Sequence, residues 1–293
     1  DIHQHPELAY EEHRTGGRVA ELLREFGVDE VAEGIGKTGV VGVIRNGEGP
    51  AIGLRADMDA LPIVELTGVP HQSVNDGVMH ACGHDGHTSM LLGAAKYLTE
   101  TRNFSGTVVL VFQPAEEGLA GAKAMIDDGL FERFPVDAIY GVHNMPGLAE
   151  GEIRVSAGPV MAAADSFTVT VKGRGGHGAM PHMSIDPVVV AAAMVGGLQS
   201  LVSRNLDPHK TLVVSVTQIH GGDTFNVIPD TVTLGGTVRY FEKEVGDANR
   251  QRMEALLNGI AAAHGASMEM DYKIGYPPTL NHAAEAAFAA GVA

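Results

Sequence analysis

Cys82 and His84 stand two residues apart in the run HACGHDGH at 80–87, and in an extended loop that spacing points both side chains the same way. A thiolate and an imidazole together suit zinc or a similar transition ion. A lone cysteine is more often an inert buried thiol, and a lone histidine a satisfied core residue. Here histidines at 80, 84 and 87 surround the only cysteine, and carboxylates recur elsewhere in the chain. Glu116 and Glu117 are adjacent, so on an extended backbone they face opposite ways. One can then bind a metal while the other serves as a base; the alternative is a solvated acidic pair in a turn. A metal lowers the pKa of its bound water to about 7. A neighbouring carboxylate can take that proton and later deliver it to a leaving amine. The chemistry suggested is metal-assisted hydrolysis.

Such groups must be brought together by the elements that carry them. AIGLRA at 51–56 runs into Asp57 and Asp59, TVVLVFQ at 107–113 into Glu116 and Glu117, and DAIYGV at 137–142 into His143 and Asn144. Continuous apolar, β-branched runs are typical of buried parallel strands. In an open α/β sheet, ligands bind outside the carboxyl ends of the strands, so the three clusters should share one edge. Helices are expected over 9–26 and over 88–100, the latter with Thr88 near its N-cap. The 80–87 segment is expected to be a loop closing over that edge.

Beyond residue 160 the pattern changes. Strand-like 166–172, a helix over 186–205, strands over 211–220 and 231–241, a helix over 245–264 and a strand over 268–274 give the order β-α-β-β-α-β. The expected fold is α/β: a catalytic domain with a mostly parallel sheet (1–160 and 276–293), interrupted by an inserted ferredoxin-like domain (161–275). GRGGHG at 173–178 has the spacing of a dinucleotide loop. However, the helix begins only near Asp186, and Gln199 stands where the acidic residue belongs. A glycine-rich loop presenting His177 fits better.

Composition narrows the function classes. A formal charge of −16 over 293 residues argues against nucleic-acid binding, which needs clustered Lys and Arg. One cysteine precludes an internal disulfide and fits a reducing, cytoplasmic setting. No 18-residue apolar run marks a membrane span, and no signal peptide is visible.

Seven motifs resemble one family: HPEL (5–8), LRADMDALP (54–62), HACGHDGH (80–87), QPAEEG (113–118), GVHN (141–144), GRGGHGAMPH (173–182) and GGDTFNVIPD (221–230). The chain resembles the co-catalytic metallohydrolases that include aminoacylase, carboxypeptidase G, hippurate hydrolase and the plant auxin-conjugate amidohydrolases. Its best fit is the N-acyl-amino-acid amidohydrolase branch. The resemblance implies two divalent ions per subunit, zinc or manganese, with Cys82, His84, Glu117 and His143 as ligands. It implies Glu116 as general base and Asp59 orienting a ligand behind the metal site. It also implies an inserted dimerisation domain, or lid, whose His177 reaches the partner subunit's site and helps hold the oxyanion. Asn226 and Arg239 are candidates for holding the substrate carboxylate; the alternatives are turn capping and a surface ion pair. The substrate implied is a small N-acyl amino acid, with a dipeptidase or carboxypeptidase as alternatives within the family. The family places a further metal-binding histidine well downstream of the lid, where this chain stops. The closing part of the catalytic domain is therefore expected to be missing, and a non-catalytic metal-binding or dimerisation module is the competing expectation.

Overall fold

In the computed structural model, which describes residues 1–293, the chain separates into two units, Asp1–Glu152 and Ile153–Ala293. The first contains α1 (His13–Glu25), β1 (Glu30–Ile35), β2 (Gly39–Asn46), β3 (Ala51–Asp57) and α2 (His84–Thr101). These are followed by β4 (Gly106–Gln113), the short helices α3 (Gly121–Asp127) and α4 (Leu130–Arg133), and β5 (Ala138–Gly141). The five strands form one sheet in the order β1-β2-β4-β3-β5.

β4, β3 and β5 run parallel, as their apolar runs predict. β1 pairs antiparallel with β2, and β2 antiparallel with β4, so the mostly parallel sheet expected is mixed. The reason is the connection: only Gly36, Lys37 and Thr38 join β1 to β2, and a parallel crossover needs a dozen residues or more. β2 and β4 carry core on both faces. Toward α1 and α2, Val40, Ile44, Leu110 and Phe112 cluster with Leu23, Leu91 and Leu92. Toward α3 and α4, Val41, Val43, Val109 and Val111 cluster with Met125, Leu130 and Phe134. Each such side chain, fully buried, stabilises the unit by roughly 1.5–3 kcal/mol.

Two helix starts differ from expectation. α1 begins at His13 rather than near residue 9, because Tyr10 turns the chain at φ 64°. Glu7 caps the helix instead, accepting the Arg14 and Thr15 amides at 2.9 and 2.7 Å. α2 begins at His84, before Thr88, so half of HACGHDGH is the helix's first turn. Gly83 makes the entry at φ 87° with no side-chain cap.

The second unit opens with β6 (Gly158–Met161), β7 (Ala163–Lys172), β8 (Gly176–His177), α5 (Pro187–Ser203), β9 (Leu212–His220) and β10 (Val227–Ile228). It continues with β11 (Thr231–Tyr240), α6 (Lys243–Ala263), β12 (Ser267–Tyr276), β13 (Thr279–Asn281) and α7 (Ala283–Val292). β7, β9, β11 and β12 form an antiparallel sheet in the order β12-β7-β11-β9, and the sequence β7-α5-β9-β11-α6-β12 has the expected β-α-β-β-α-β order. β7 alternates as a one-sided strand does, burying Ala163, Asp165, Phe167, Val169 and Val171. Met194 and Leu198 of α5 and Met253 and Leu257 of α6 complete that core. Asp186 caps α5 by accepting the Val188 amide at 2.9 Å. β8 pairs with β10 as a separate ribbon, and β13 with β6. No helix is long and apolar enough to cross a membrane.

Candidate metal centre

Parallel register sets Asp57, at the end of β3, beside Gln113, at the end of β4. The chain segments leaving these strands and β5 therefore start from one edge of the sheet. Beyond it, Cys82, His84 and Glu117 bring ligand atoms within 4.8 Å of one another. Cys82 Sγ also lies 3.5 Å from His143 Nε2. The four ligand candidates from the sequence thus meet, although not by the route expected. Cys82 is in the loop, whereas His84 opens α2. Gly83 must be glycine here: besides its positive φ, a Cβ would stand 2.6 Å from Asn144 Oδ1.

Two imidazoles are set for metal binding by what holds their other nitrogen. His84 Nδ1 donates to the Asp59 carbonyl at 2.8 Å, and His143 Nδ1 to the Asn144 carbonyl at 2.6 Å. Each Nε2 therefore carries its lone pair toward the site. His84 is fully buried and its Nε2 has no hydrogen-bond partner. It lies 3.6 Å from Asp57 Oδ2 and 4.0 Å from a carboxylate oxygen of both Glu116 and Glu117. A buried, unpartnered acceptor facing three carboxylates and a thiol fits a divalent cation and has no other partner in reach.

Asp57, His84, His87 and His143 form a second set within ligand distance. His87 already uses both nitrogens: Nδ1 donates to Asp57 Oδ1 at 2.6 Å, and Nε2 accepts the Asn144 amide at 3.0 Å. Arg55 binds the other Asp57 oxygen at 2.7 Å. This pair fixes the segment bearing His143 to α2. No role for His87 was read from the sequence, although its position three residues after His84 places both on one helical face.

The two glutamates do not diverge as an extended backbone would require. After β4, Ala115 takes φ 49°, and the Glu116 and Glu117 amides both point at Asp59, to Oδ1 and Oδ2, each at 2.9 Å. Asp59 is 1% exposed, so these bonds form away from water. Gly121 donates to the Ala115 carbonyl and packs so close that a Cβ would stand 1.7 Å from the Pro114 oxygen.

Electrostatics follow from this crowding. Burial, then the charges of Glu117 and Asp57, push the Glu116 carboxyl up. Burial, with Glu117, Glu116 and Asp57 around it, pushes the Cys82 thiol up to about 12. Burial works against charge on Asp57, yet the His87 hydrogen bond and Arg55 hold its carboxyl well below the usual range. Burial likewise disfavours charge on His84, but Asp59 and Asp57 outweigh it and raise its pKa. A cation would relieve the accumulated negative charge.

Three further sequence candidates lie in the second unit. His177 is exposed at the end of β8, opposite Val227, and its Nδ1 accepts the Ala179 amide at 3.1 Å. Asn226, next to β10, accepts the Gly178 amide through its carbonyl at 2.8 Å, so it shares the ribbon with His177. Its side chain accepts from Thr224 at 3.0 Å. Arg239, on β11, bonds to Thr237 and to the Val238 carbonyl of its own strand.

Comparison with known proteins is consistent with this geometry. The family model described as peptidase family M20/M25/M40 matches residues 53–293. Hippurate hydrolase of Campylobacter jejuni is 47% identical over 293 residues, covering 100% of this chain and 76% of that protein. N-acetyl-L-cysteine deacetylase of Bacillus subtilis is 45% identical, covering 96% of this chain and 67% of that protein. Among solved structures, a dinuclear metal-binding peptidase of the M20 family from Bacillus subtilis superposes with a TM-score of 0.83 at 39% identity. That match covers 99% of this chain and 76% of the other. Imidazoles locked with Nε2 toward a thiol and carboxylates, in a chain this similar throughout, lead to one assignment: the protein is a hydrolase belonging to peptidase family M20/M25/M40.

Proposed function

We propose that the protein hydrolyses the amide bond of small N-acyl amino acids, releasing a carboxylate and an amino acid. The observation that carries this reading is the buried, unpartnered His84 Nε2 facing Glu116 and Glu117 beside Cys82. Cys82, His84, Glu117 and His143 are assigned to hold the divalent ions, zinc or manganese. Bound there, such ions supply Lewis acidity and a water acidic enough to be deprotonated near neutrality.

Glu116 is assigned as general base. It accepts a proton from the attacking water and returns it to the amide nitrogen as the C–N bond breaks. Its raised pKa suits both transfers, since a carboxylate of ordinary acidity is a weak base and a poor reservoir for the returning proton. Asp59 aims Glu116 and Glu117 by holding their amides. His177 is assigned to the developing oxyanion, and Asn226 and Arg239 to the substrate carboxylate. Residues 161–275 are assigned as a ferredoxin-like lid through which two copies pair, with 1–160 and 276–293 as the catalytic domain. The free thiol among the ligands favours a reducing, cytoplasmic setting.

The test is hydrolysis of hippurate, N-acetyl amino acids and dipeptides by purified protein with added manganese or zinc, against Glu116→Gln. Turnover by the wild type, with a loss of about 10²–10⁴-fold in the variant at unchanged metal content, is expected for a general base. Equal activity in both would remove Glu116 from that role.

A further inference from the structure

Glu12 lies far in sequence from every residue assigned above. It is fully buried, with two hydrogen bonds to its carboxylate. Oε2 accepts the Thr38 hydroxyl at 2.5 Å, and Oε1 accepts the Ala115 amide at 2.8 Å, across 103 residues. A buried carboxylate is costly, so a site that keeps one must need its acceptor. Glu12 is the N-cap residue of α1, but its side chain makes no capping bond, and Glu7 takes the helix amides instead. The Oε1 of Glu12 serves Ala115.

Ala115 is the residue that needs holding. It is fully buried, follows the last ladder bonds of β4, and stands at φ 49°, where a side chain makes the backbone strained. Both its polar groups are fixed, the amide by Glu12 and the carbonyl by the Gly121 amide at 2.9 Å. The next two amides, of Glu116 and Glu117, go to Asp59. Three successive amides are thus taken by two buried carboxylates, one from the start of the chain and one from beyond β3.

We propose that Glu12 is a positioning residue of the hydrolytic site, holding Ala115 in the left-handed conformation from which Glu116 and Glu117 reach the metal centre. The proposal rests on the assignment of those two glutamates.

Hydrogen exchange and kinetics on Glu12→Ala, Glu12→Gln and the double variant Glu12→Ala/Ala115→Gly test it in the purified, metal-loaded protein. In Glu12→Ala, amide exchange over residues 113–118 should quicken, and kcat should fall by about 100-fold with little change in KM, as misplaced catalytic groups do. Glutamine keeps one acceptor for Ala115, as a weaker neutral bond, so Glu12→Gln should recover to within about tenfold of wild type. Glycine removes the cost of the left-handed conformation, so the double variant should regain roughly tenfold over Glu12→Ala. A Glu12 that merely stabilised the fold would give a lower melting temperature with kcat per folded molecule unchanged, and no rescue by glycine. Either unchanged kcat in Glu12→Ala, or unchanged exchange over 113–118, overturns the proposal. If Glu12→Ala does not fold, Glu12→Gln decides it: the weaker neutral bond should quicken exchange over 113–118 and lower kcat modestly, and both unchanged overturn the proposal. If the wild type hydrolyses no amide, the functional assignment fails, while the exchange measurement still reports on the clamp.

Discussion

Replacing Asp59 with asparagine keeps the size of the side chain and removes one acceptor. In the wild type each carboxylate oxygen accepts one amide at 2.9 Å, from Glu116 and from Glu117. Asparagine can turn its oxygen to only one of them and must set its NH₂ against the other. One charge-assisted bond is lost and one amide is stranded, which together cost about 3 kcal/mol. With a urea slope of about 2 kcal/mol per molar for a domain of this size, the unfolding midpoint should drop by roughly 1.5 M. The chain has no tryptophan, so the transition is best followed by far-ultraviolet circular dichroism, fitted as two transitions because there are two units. Activity should fall further than stability, by about 100-fold in kcat under conditions where the variant is fully folded. A midpoint within 0.3 M of wild type (a loss under about 0.6 kcal/mol on the same slope) would refute the claim that one carboxylate holds both glutamates.

Further outcomes follow from other parts of the molecule. Because burial and the surrounding carboxylates push the Cys82 thiol up to about 12, it is protonated at neutral pH and must lose that proton to bind a cation. Metal affinity should therefore rise with pH, by up to about tenfold per unit for this proton, and calorimetry in buffers of different ionisation enthalpy should detect its release. A Cys82→Ser variant that releases as many protons would rule the thiolate out. His177→Ala should lower kcat by about 10²-fold or more, as its proposed oxyanion role requires, while leaving the melting temperature unchanged because the residue is exposed; an effect on KM alone would reassign it to ground-state binding. In the second unit, burial and then Asp165 push the Tyr240 phenol up to about 12. A raised folded-state pKa adds stability that is fully present below about pH 10, the unfolded value, and is lost as pH rises through about 12. Alkaline titration at fixed urea should thus unfold this unit in step with tyrosinate absorbance, and a flat stability curve from pH 9 to 12 would contradict it.

Much of this was visible in the residues. The apolar runs ending at Asp57, Gln113 and Gly141 marked three parallel strands, and the types and spacing of Cys82 and His84, with carboxylates beyond the strand ends, pointed to residues that do come together. What stayed hidden depended on backbone conformation. Gly83 starts α2 through a positive φ rather than a side-chain cap, so the ligand segment read as a loop up to Thr88. The turn at Ala115 was hidden for a related reason, since alanine gives no sign of a left-handed residue and both carboxylates that hold it are remote in sequence. The antiparallel β1–β2 pair was legible only from the length of its connection. The pairing of His87 with Asp57 needed tertiary contact to appear at all.

The tie between Glu12 and Ala115 also bears on the order of events during synthesis. The segment carrying Glu7 and Glu12 leaves the ribosome well before its partners at Ala60 and Ala115, and His143 follows later still. Contacts so distant in sequence form slowly, because each must close a long loop before it adds any stability. The candidate site is therefore complete only once β5 has joined the sheet and His143, which follows it, is in place. A newly made chain should acquire its secondary structure before it acquires affinity for metal.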